Sequence, residues 1–403
     1  MSKDRIGVAV IGAGMAGRSH AAGYAAARGV DGPAIPRVDL VAIGDVNEEL
    51  GGAAAARFGY QRAEKSWEDI AAADDVDVVS VVVANHLHRE MVEGLLAAGK
   101  HVLCEKPIAP GIEDAEAMVA AAEAATTETA LGFTFRRSPS ISAVRNLVAD
   151  SGIGDPLHFN GHYWCDYGVD PNGPMSWRYK GPAGSGALSD IGSHLLDMSE
   201  YVCGPITSVR GAVLSTVVAE RALPLRAAVG HAAAELSDVR EPVENDDLVT
   251  FTASFAGGAT GTFSASRVAH GHPNALGFEL FATSGAATFD LERAGEFRVS
   301  DGSAPRGTAG YRTVLAGPEH PYLSGGLPMD FPGVGYGQND LFVWQARAFL
   351  EQVAGVPAGE GLPRTATFAD GLRNLRLIAA VVESARKGGA EVAVPGTPRK
   401  DQS

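Results

Sequence analysis

The sequence predicts an α/β protein in which a doubly wound parallel sheet is followed by an α/β domain with a large, mainly antiparallel open sheet. Up to about residue 132, short β-branched runs alternate with longer alanine-rich stretches, as in a parallel sheet covered by helices. Beyond residue 155, alternating segments such as 248–255 are typical of strands with two different faces. A chain of 403 residues is too long for one core, so we expect two domains, 1–132 and 133–403.

Each element follows from the local pattern. In the first domain we expect strands at 6–11, 38–45, 78–84, 101–104 and 129–133, with helices starting near residues 15, 48, 88 and 112. In the second domain we expect strands at 156–163, 248–255, 260–266 and 277–283, with helices near residue 190 and after residue 339. The Gly- and Pro-rich stretch 301–337 is expected to be a long irregular excursion, which in compact domains is functional or contacts a neighbouring subunit.

Composition narrows the function classes. The formal net charge of −15 opposes binding to nucleic acid or to anionic membranes, since both require clustered Lys and Arg. The apolar run 6–11 is too short for a signal peptide or a membrane span, so we expect a cytoplasmic protein. Cys104, Cys165 and Cys203 are odd in number and widely spaced, which fits neither a disulfide framework nor a zinc site. We expect reduced cysteines and no metal.

A glycine-rich turn, residues 12–17, follows the first strand and opens the first helix. Gly12 permits the tight turn, Gly14 lets the backbone approach a pyrophosphate, and Gly17 allows the helix to pack on the strand. Asp45 ends the second strand, where its carboxylate accepts hydrogen bonds from ribose hydroxyls and repels a 2′-phosphate. The sequence therefore predicts an NAD site, with NADP less favoured, formed in this part by Gly12, Gly14, Met15, Ala16 and Asp45.

Polar side chains follow the third strand. Asn85 either caps the following helix or reaches the cofactor, and the two roles are compatible. His88, in the first helical turn, is either a solvent-facing residue or a cofactor contact.

Glu105, Lys106 and Pro107 close the fourth strand. Since open α/β sheets bind ligands at the carboxyl ends of their strands, Lys106 lies where it can meet a cofactor. A lysine ammonium can hold a substrate hydroxyl and exchange a proton with it when burial lowers its pKa. The alternative is a surface lysine before a turn proline, but the surrounding motifs favour the functional interpretation.

Asp190 and His194 are four residues apart in a helical pattern that follows a glycine-rich approach. This spacing places both side chains on one helix face. A nearby carboxylate raises the pKa of an imidazole and orients it, which suits it to act as a general base toward a hydroxyl. The alternative is a helix cap at Asp190 and a packed histidine.

Together and in this order, these motifs resemble the Gfo/Idh/MocA family of NAD(P)-dependent oxidoreductases. The likeness covers nearly the whole chain and also includes His20, the segment 132–139 and the pair Trp177-Arg178. It implies a Rossmann domain, a nicotinamide beside the lysine strand, a homodimer or homotetramer, and a catalytic group of Lys106, Asp190 and His194. The cofactor contacts implied beyond the glycine turn and Asp45 are Ala84, Asn85, His88, Glu105, Lys106, Trp177 and Arg178.

Two departures from the family pattern concern the substrate side. Ala84 replaces a proline, which should be tolerated, whereas Thr134 and Phe135 replace an asparagine and a tyrosine and alter the pocket. Aromatic and polar residues flank the predicted catalytic helix at 162–167 and 177–179. The expected substrate contacts are Lys106, Phe135, Tyr163, Trp164, Arg178, Asp190 and His194.

These residues predict the oxidation of a secondary ring hydroxyl of a sugar, anhydrosugar or cyclitol to a ketone. His194 is expected to take the hydroxyl proton, Lys106 to stabilise the oxygen and Asp190 to orient the pair, while the hydride passes to the nicotinamide. The segments 267–274 and 317–321, with Tyr311, are similar to family members acting on anhydrosugars such as levoglucosan. Inositol dehydrogenation and glycoside 3-oxidation are close competitors.

Two other functions share these features. A regulator that senses NAD(H) without turnover uses the same fold, but it has no need for Lys106, Asp190 and His194 together. A glycosidase that oxidises its substrate transiently with tightly held NAD can share all three residues, and only the product distinguishes it.

Overall fold

The computed structural model describes residues 4–181, 186–225, 234–305, 307–320, 322–329 and 331–396. Part of the approach to Asp190 (184–185) and residue 321 of the segment 317–321 lie outside them. The chain forms two compact units, Met1–Arg137 with Gly317–Leu372 and Ser138–Ala316 with Arg373–Ser403. The stretch 317–372 thus joins the first unit, whereas a division at residue 132 places it in the second domain. The division into folding domains at residue 132 stays a prediction.

A parallel six-stranded sheet forms the first unit. Its strands are β1 (Arg5–Ile11), β2 (Arg37–Gly44), β3 (Arg62–Glu64), β4 (Val78–Val81), β5 (His101–Cys104) and β6 (Thr129–Leu131). Its helices up to residue 137 are α1 (Met15–Ala27), α2 (Glu48–Phe58), α3 (Trp67–Ala72), α4 (His88–Ala97) and α5 (Ile112–Ala124). The strand order β3-β2-β1-β4-β5-β6 reverses direction between β1 and β4, so the carboxyl ends of these two strands flank the place where such sheets bind ligands.

A nine-stranded mixed sheet dominates the second unit, in the order β16-β15-β14-β13-β7-β12-β11-β8-β17. Its strands are β7 (Pro156–Trp164), β8 (Ile206–Ser215), β11 (Leu248–Phe255), β12 (Thr260–Ser266), β13 (Ala275–Ala282), β14 (Gly285–Asp290), β15 (Glu296–Asp301), β16 (Arg312–Leu315) and β17 (Val392–Ala393). The pair β7–β12 is parallel and the other described pairs are antiparallel. A separate hairpin pairs β9 (Glu220–Pro224) with β10 (Leu236–Pro242).

Four more helices complete the described chain: α6 (Pro139–Ala149), α7 (Ser193–Cys203), α8 (Gln338–Val353) and α9 (Phe368–Arg386). In the second unit α7 lies on β7 at Gly161, where an added Cβ would come within 2.9 Å of Leu195 Cδ1. In the first unit α8 covers the sheet together with α1, and Phe349 shares the core with Tyr24 and Val8. The predicted α/β architecture, parallel sheet first and mainly antiparallel sheet second, is confirmed.

Local differences from the sequence predictions are small. The third predicted strand ends at Val81 rather than at residue 84, because the chain turns there into the short helix Asn85–Leu87. The stretch 301–337 is irregular over most of its described residues but contributes strand β16, which pairs with β15. Cys104, Cys165 and Cys203 are buried free thiols. Within the described ranges, no helix is long and apolar enough to cross a membrane, and no three His, Cys, Asp or Glu side chains are grouped to hold a metal.

Candidate active site

The glycine-rich turn in the first unit has the geometry that a pyrophosphate requires. Gly12 has a φ of +101°, and a Cβ there would lie 2.1 Å from the carbonyl oxygen of Val82. A Cβ on Gly17 would lie 1.8 Å from the carbonyl oxygen of Gly12, so only glycine lets α1 approach β1 this closely. Beside Gly14, by contrast, the space is open, and no described side chain caps the helix that begins at Met15. The N–H groups of the first turn can therefore receive phosphate oxygens.

Asp45 connects the end of β2 to this turn. Its Oδ2 accepts the Ala13 N–H at 2.7 Å and its Oδ1 accepts the Asn47 N–H at 2.8 Å. An ionised carboxylate has about four acceptor positions, so these two bonds leave capacity for ribose hydroxyls. The side chain thus fits NAD and also holds the glycine turn in place.

Asn85 does not cap the following helix, so that interpretation of the sequence is wrong. Leu87 is the residue before α4, and no side chain caps the helix. Asn85 is instead buried, and its Oδ1 has no hydrogen-bond partner among the described residues. A buried acceptor without a donor is costly. Its position directly after β4 fits a cofactor group that supplies the donor.

His88 is buried, so its interpretation as a solvent-facing residue is also wrong. Its Nδ1 lies 3.1 Å from the carbonyl oxygen of Ile108 and its Nε2 lies 3.1 Å from that of Val83. Burial lowers the pKa of this imidazole. A neutral His88 donates to one of these two carbonyl oxygens and packs between the end of β4 and the segment after Lys106. A direct contact with the cofactor stays a prediction.

Lys106 follows β5 and is half-buried, and its peptide bond to Pro107 is cis. Its backbone N–H donates to Glu105 Oε2 at 3.1 Å. Glu105 is buried and packs against Gly132, where a Cβ would lie 2.4 Å from Glu105 Oε1. This explains why a glycine opens the segment 132–139.

A buried series of hydrogen bonds, here called the His20 chain, joins Tyr24, Ser80 and His20 to Glu105. His20 Nε2 lies 2.9 Å from Glu105 Oε1, His20 Nδ1 lies 3.2 Å from Ser80 Oγ, and Tyr24 Oη lies 3.1 Å from Ser80 Oγ. One direction satisfies all three bonds with a neutral imidazole: Tyr24 donates to Ser80, Ser80 to Nδ1, and Nε2–H to Glu105. Burial raises the pKa of Tyr24, so this phenol remains a donor.

In the second unit, Asp190 and His194 lie on either side of a change in helix type. Leu188–Gly192 form a π-helical turn, and α7 begins at Ser193. Gly192 precedes α7 and no side chain caps it, so the interpretation of Asp190 as a helix cap is wrong. Single π turns within helices are frequent at functional sites. His194, one turn after Asp190, is half-buried, and its ring centroid lies 6.2 Å from that of Tyr163.

Tyr167 is a site residue that the sequence did not single out. Its hydroxyl donates to Asp190 Oδ2 at 2.8 Å, and Arg178 Nε lies 4.0 Å from the same oxygen. Tyr167 stood among the flanking aromatic residues, but no spacing pattern links position 167 to position 190. Burial, and then the nearby Asp190, raises the pKa of Tyr167.

Arg178 is held by a buried group, here called the Arg267 platform, of Arg267, Asp247, Asn245 and Tyr179. Arg267 and Asp247 form an ion pair at 2.7 Å with 0% exposure of both side chains. Asn245 Nδ2 and Arg267 Nη1 both donate to the Arg178 carbonyl oxygen, at 2.8 and 3.3 Å. The Arg267 guanidinium also lies 4.4 Å from the centroid of the Tyr179 ring. Arg178 itself stacks over the partly exposed Trp177 at 4.7 Å.

Tyr163 and Trp164 are neighbours on β7, so they point to opposite faces of the sheet. Tyr163 is buried on the face of His194 and donates to Asn274 Oδ1 at 2.8 Å. Trp164 lies on the other face, where its Nε1 donates to Ser264 and its ring stacks on His162 at 3.9 Å. The structure therefore brings Tyr163, but not Trp164, to the face of the catalytic helix.

The remaining predicted site residues lie as follows. Phe135 is buried in the first unit, in the short helix Thr134–Arg137. Met15 and Ala16 form the first turn of α1, and Ala84 precedes the short helix that begins at Asn85. Lys106 belongs to the first unit, whereas Asp190, His194 and Arg178 belong to the second. Each half of the predicted catalytic group is thus built within its own unit.

Comparison with known proteins gives matches over most of the chain. Residues 6–133 match the profile of an oxidoreductase family with an NAD-binding Rossmann fold, and residues 141–288 match the GFO/IDH/MocA C-terminal domain. Levoglucosan dehydrogenase of Pseudarthrobacter phenanthrenivorans is 37% identical over 390 residues, which cover 95% of this chain and 97% of that protein.

Solved structures show the same likeness. A levoglucosan dehydrogenase in complex with NADH and levoglucosan superposes with a TM-score of 0.87 and 36% identity, over 97% of this chain and 100% of that one. An oxidoreductase domain protein from Kribbella flavida gives a TM-score of 0.86 and 36% identity, over 97% and 99% of the two chains.

Proposed function

We propose that this chain, which belongs to the Gfo/Idh/MocA family of oxidoreductases and whose Rossmann domain binds NAD, oxidises a ring hydroxyl of an anhydrosugar such as levoglucosan to a ketone. At a coarser level it is an NAD-dependent sugar dehydrogenase. One observation carries the proposal: an imidazole and a phenol-bonded carboxylate lie one turn apart where a π turn meets α7. This is the pairing that removes a proton from a hydroxyl.

When bound, NAD would supply the acceptor for the hydride of the ring carbon. His194 takes the proton of the hydroxyl, and Asp190 orients the imidazole and stabilises its charged form. Lys106 hydrogen-bonds the same oxygen and stabilises the negative charge that builds up as the ketone forms. The His20 chain supports this role because it fixes Glu105, which in turn holds the backbone of Lys106.

The cofactor is proposed to lie at the carboxyl ends of β1, β2 and β4. The open space at Gly14 and the uncapped first turn of α1 favour the pyrophosphate there. Asp45 is proposed to receive the ribose hydroxyls, and the unpartnered Oδ1 of Asn85 to receive a donor from the nicotinamide half. The proposed cofactor set is completed by contacts from Gly12, Met15, Ala16, Ala84, His88, Glu105, Lys106, Trp177 and Arg178.

The choice of an anhydrosugar rests on similarity and on one local feature. The relative that is 37% identical over 95% of this chain is a levoglucosan dehydrogenase. Within this chain, the segment 267–274 contributes Asn274, whose Oδ1 accepts a hydrogen bond from the Tyr163 hydroxyl at 2.8 Å. Tyr163 is the proposed substrate contact on the His194 face, and inositols and free hexoses are the competing substrates.

A homodimer or homotetramer is proposed as the working assembly. The face of the nine-stranded sheet that carries Trp164 leaves Val213 and Phe281 exposed, at 55% and 38%. Burying apolar side chains of this kind favours association. Light scattering coupled to size exclusion tests this, and a monomer at assay concentration would contradict it.

The decisive experiment follows absorbance of reduced nicotinamide with NAD or NADP against levoglucosan, inositols, free hexoses and aryl glycosides. We expect turnover with levoglucosan and NAD, and a product that mass spectrometry shows to have lost two hydrogens. Preferred turnover of an inositol or a free hexose would replace the proposed substrate. Release of an aryl alcohol would indicate the glycosidase, and NADH binding with no turnover of any compound would indicate the sensing regulator.

A further inference from the structure

We propose that Tyr167 is a positioning residue for the reaction: its hydroxyl holds the Asp190 carboxylate and so sets the pH range in which His194 acts as a base. The inference rests on the proposed function, because it assigns Tyr167 a role toward the proposed acid and base. It adds a residue that the motifs of the sequence do not contain.

The contact itself is short and partly buried. Tyr167 Oη lies 2.8 Å from Asp190 Oδ2, and a carboxylate can only accept in this bond, so the phenol donates. Burial, and then the nearby Asp190, raises the pKa of the phenol, which keeps it protonated over the working range of an enzyme. Tyr167 is therefore a constant donor to one oxygen of the carboxylate.

The turn that carries Tyr167 is fixed by the backbone of Arg267 and by the guanidinium of Arg221. The Gly168 N–H donates to the Arg267 carbonyl oxygen at 2.8 Å, and the Gly168 carbonyl oxygen accepts from Arg221 Nη2 at 2.7 Å. A Cβ at Gly168 would lie 2.7 Å from the Arg267 carbonyl oxygen, so the turn packs directly on the Arg267 platform. Arg221 is 1% exposed and Arg267 is 0% exposed. A hydroxyl held in this way is preorganised toward Asp190.

Several charged or titratable groups surround this contact. Arg178 Nε lies 4.0 Å from Asp190 Oδ2 and has no hydrogen-bond partner among the described residues. Arg267 and Cys165 act electrostatically on Tyr167, Asp190 acts on Tyr163, and His194 follows Asp190 by four residues where the π turn meets α7. Burial raises the pKa of Tyr163, which keeps this phenol protonated near neutral pH, whereas an imidazole is the type of side chain that ordinarily titrates there.

Losing the phenol donor has a defined electrostatic consequence. A carboxylate that accepts a hydrogen bond has part of its charge compensated, and without the donor it attracts a neighbouring imidazolium more strongly. His194 then remains protonated to higher pH and is unavailable as a base near neutrality. Since a hydrogen bond to a charged group is worth about 1.5–3 kcal/mol, its loss should raise the pH at which His194 loses its proton by about one unit.

The test is the pH profile of kcat/KM for Tyr167→Phe, with Tyr201→Phe as the matched control. Tyr201 lies in the same unit, and its hydroxyl is 3.4 Å from Ser142 Oγ. Like Tyr167→Phe, the control therefore removes one phenol hydroxyl that has a neighbouring polar group. For Tyr167→Phe we expect the rising limb to move up by about one pH unit, with roughly tenfold lower kcat/KM near neutral pH and recovery at alkaline pH. Tyr201→Phe should keep the wild-type profile. An equal loss at every pH, or an unmoved limb, would overturn the inference.

A double-mutant cycle tests the route through Asp190. In an Asp190→Asn background, the additional Tyr167→Phe change should not move the rising limb of the pH profile of kcat/KM. A shift of the same size in both backgrounds would show that Tyr167 acts on His194 by another route and would overturn the inference.

A readout without turnover separates this inference from the proposed function. The titration midpoint of the His194 imidazole can be followed by NMR in the full-length protein with NADH bound, for wild type and Tyr167→Phe. An upward shift of about one pH unit supports the inference even if every sugar of the panel is inert. An unchanged midpoint overturns it even if levoglucosan is oxidised.

Discussion

The surroundings of Lys106 in the first unit and of Asp190 in the second unit are built from different interactions. Behind Lys106, the His20 chain runs through a phenol, a hydroxyl and an imidazole to a single carboxylate, Glu105. Behind Asp190, a phenol lies on a platform that contains the fully buried ion pair of Arg267 and Asp247. The lysine is thus held through its backbone by hydrogen bonds, whereas the acid is held through its carboxylate by a phenol whose turn packs on a buried ion pair.

This difference decides what a substitution should cost in each region. Breaking one hydrogen bond in a buried series leaves an unsatisfied group worth about 1–3 kcal/mol, whereas breaking a buried ion pair costs about 3–5 kcal/mol. The chemical groups themselves contribute to rate and little to stability. The two regions can therefore be separated by measuring turnover and unfolding on the same variants.

The largest expected effect is on rate and should be equal in the two regions. Lys106→Ala and His194→Ala should each lower kcat/KM by about 10²–10⁴-fold, because each removes a group that stabilises or deprotonates the reacting oxygen. Both side chains are half-buried, so the midpoint of thermal unfolding should stay close to that of wild type. Lys65→Ala is the control, because Lys65 is 69% exposed and pairs with Glu48 on the surface. A variant that keeps most of its turnover would remove that residue from the catalytic group.

The next effect should appear in the second unit alone. Arg267→Met removes one partner of the buried ion pair and leaves Asp247 uncompensated, so the free energy of unfolding should fall by about 3–5 kcal/mol. Urea unfolding measures this loss. The comparison variant Arg37→Ala breaks a surface pair with Asp39 and should change the free energy of unfolding far less. Equal losses in the two variants would mean that the platform does not depend on its buried charges.

The corresponding change in the first unit should be smaller. Ser80→Ala leaves the Tyr24 hydroxyl and His20 Nδ1 without their partner, so unfolding should become easier by about 1–3 kcal/mol. In the Ser80→Ala background Tyr24→Phe should cost nothing further, since the phenol has already lost its acceptor. Tyr60→Phe is the control, because Tyr60 shares the core with Tyr24 but bonds only weakly, at 3.4 Å, to a carbonyl. If the losses of Ser80→Ala and Tyr24→Phe in the free energy of unfolding were additive, the His20 chain would not be one connected series of hydrogen bonds.

The sequence predicted the positions of Lys106, Asp190 and Asp45, because strand ends and helix spacing are local patterns. It did not predict their supporting partners. His20 and Glu105 both stood in recognised motifs, yet they are 85 residues apart, and only the strand order that places β1 beside β4 and β4 beside β5 brings them together.

Other misses have similar physical causes. Of the two roles that the sequence allows for Asn85, helix cap and cofactor contact, the cap fails because an intervening short helix moves the start of α4 away from it. The π turn at Asp190 also has no marker in the residue spacing, since positions four apart suit both helix types. Phenol–carboxylate contacts such as that of Tyr167 depend on tertiary structure and leave no periodic signal.

The smallest predicted effect concerns Asp45, which serves the cofactor and the glycine turn together. Asp45→Ser removes the negative charge that repels a 2′-phosphate, so the ratio of kcat/KM for NADP to that for NAD should rise about tenfold. Part of the change should be weaker use of NAD, because the Ala13 N–H loses its acceptor at 2.7 Å. Asp39→Ser is the control on the same strand, since Asp39 pairs with Arg37 and Arg5 near the opposite end of β2. If the ratio stays constant while both cofactors weaken, Asp45 acts only as a support for the glycine turn, and cofactor choice must be made by another group.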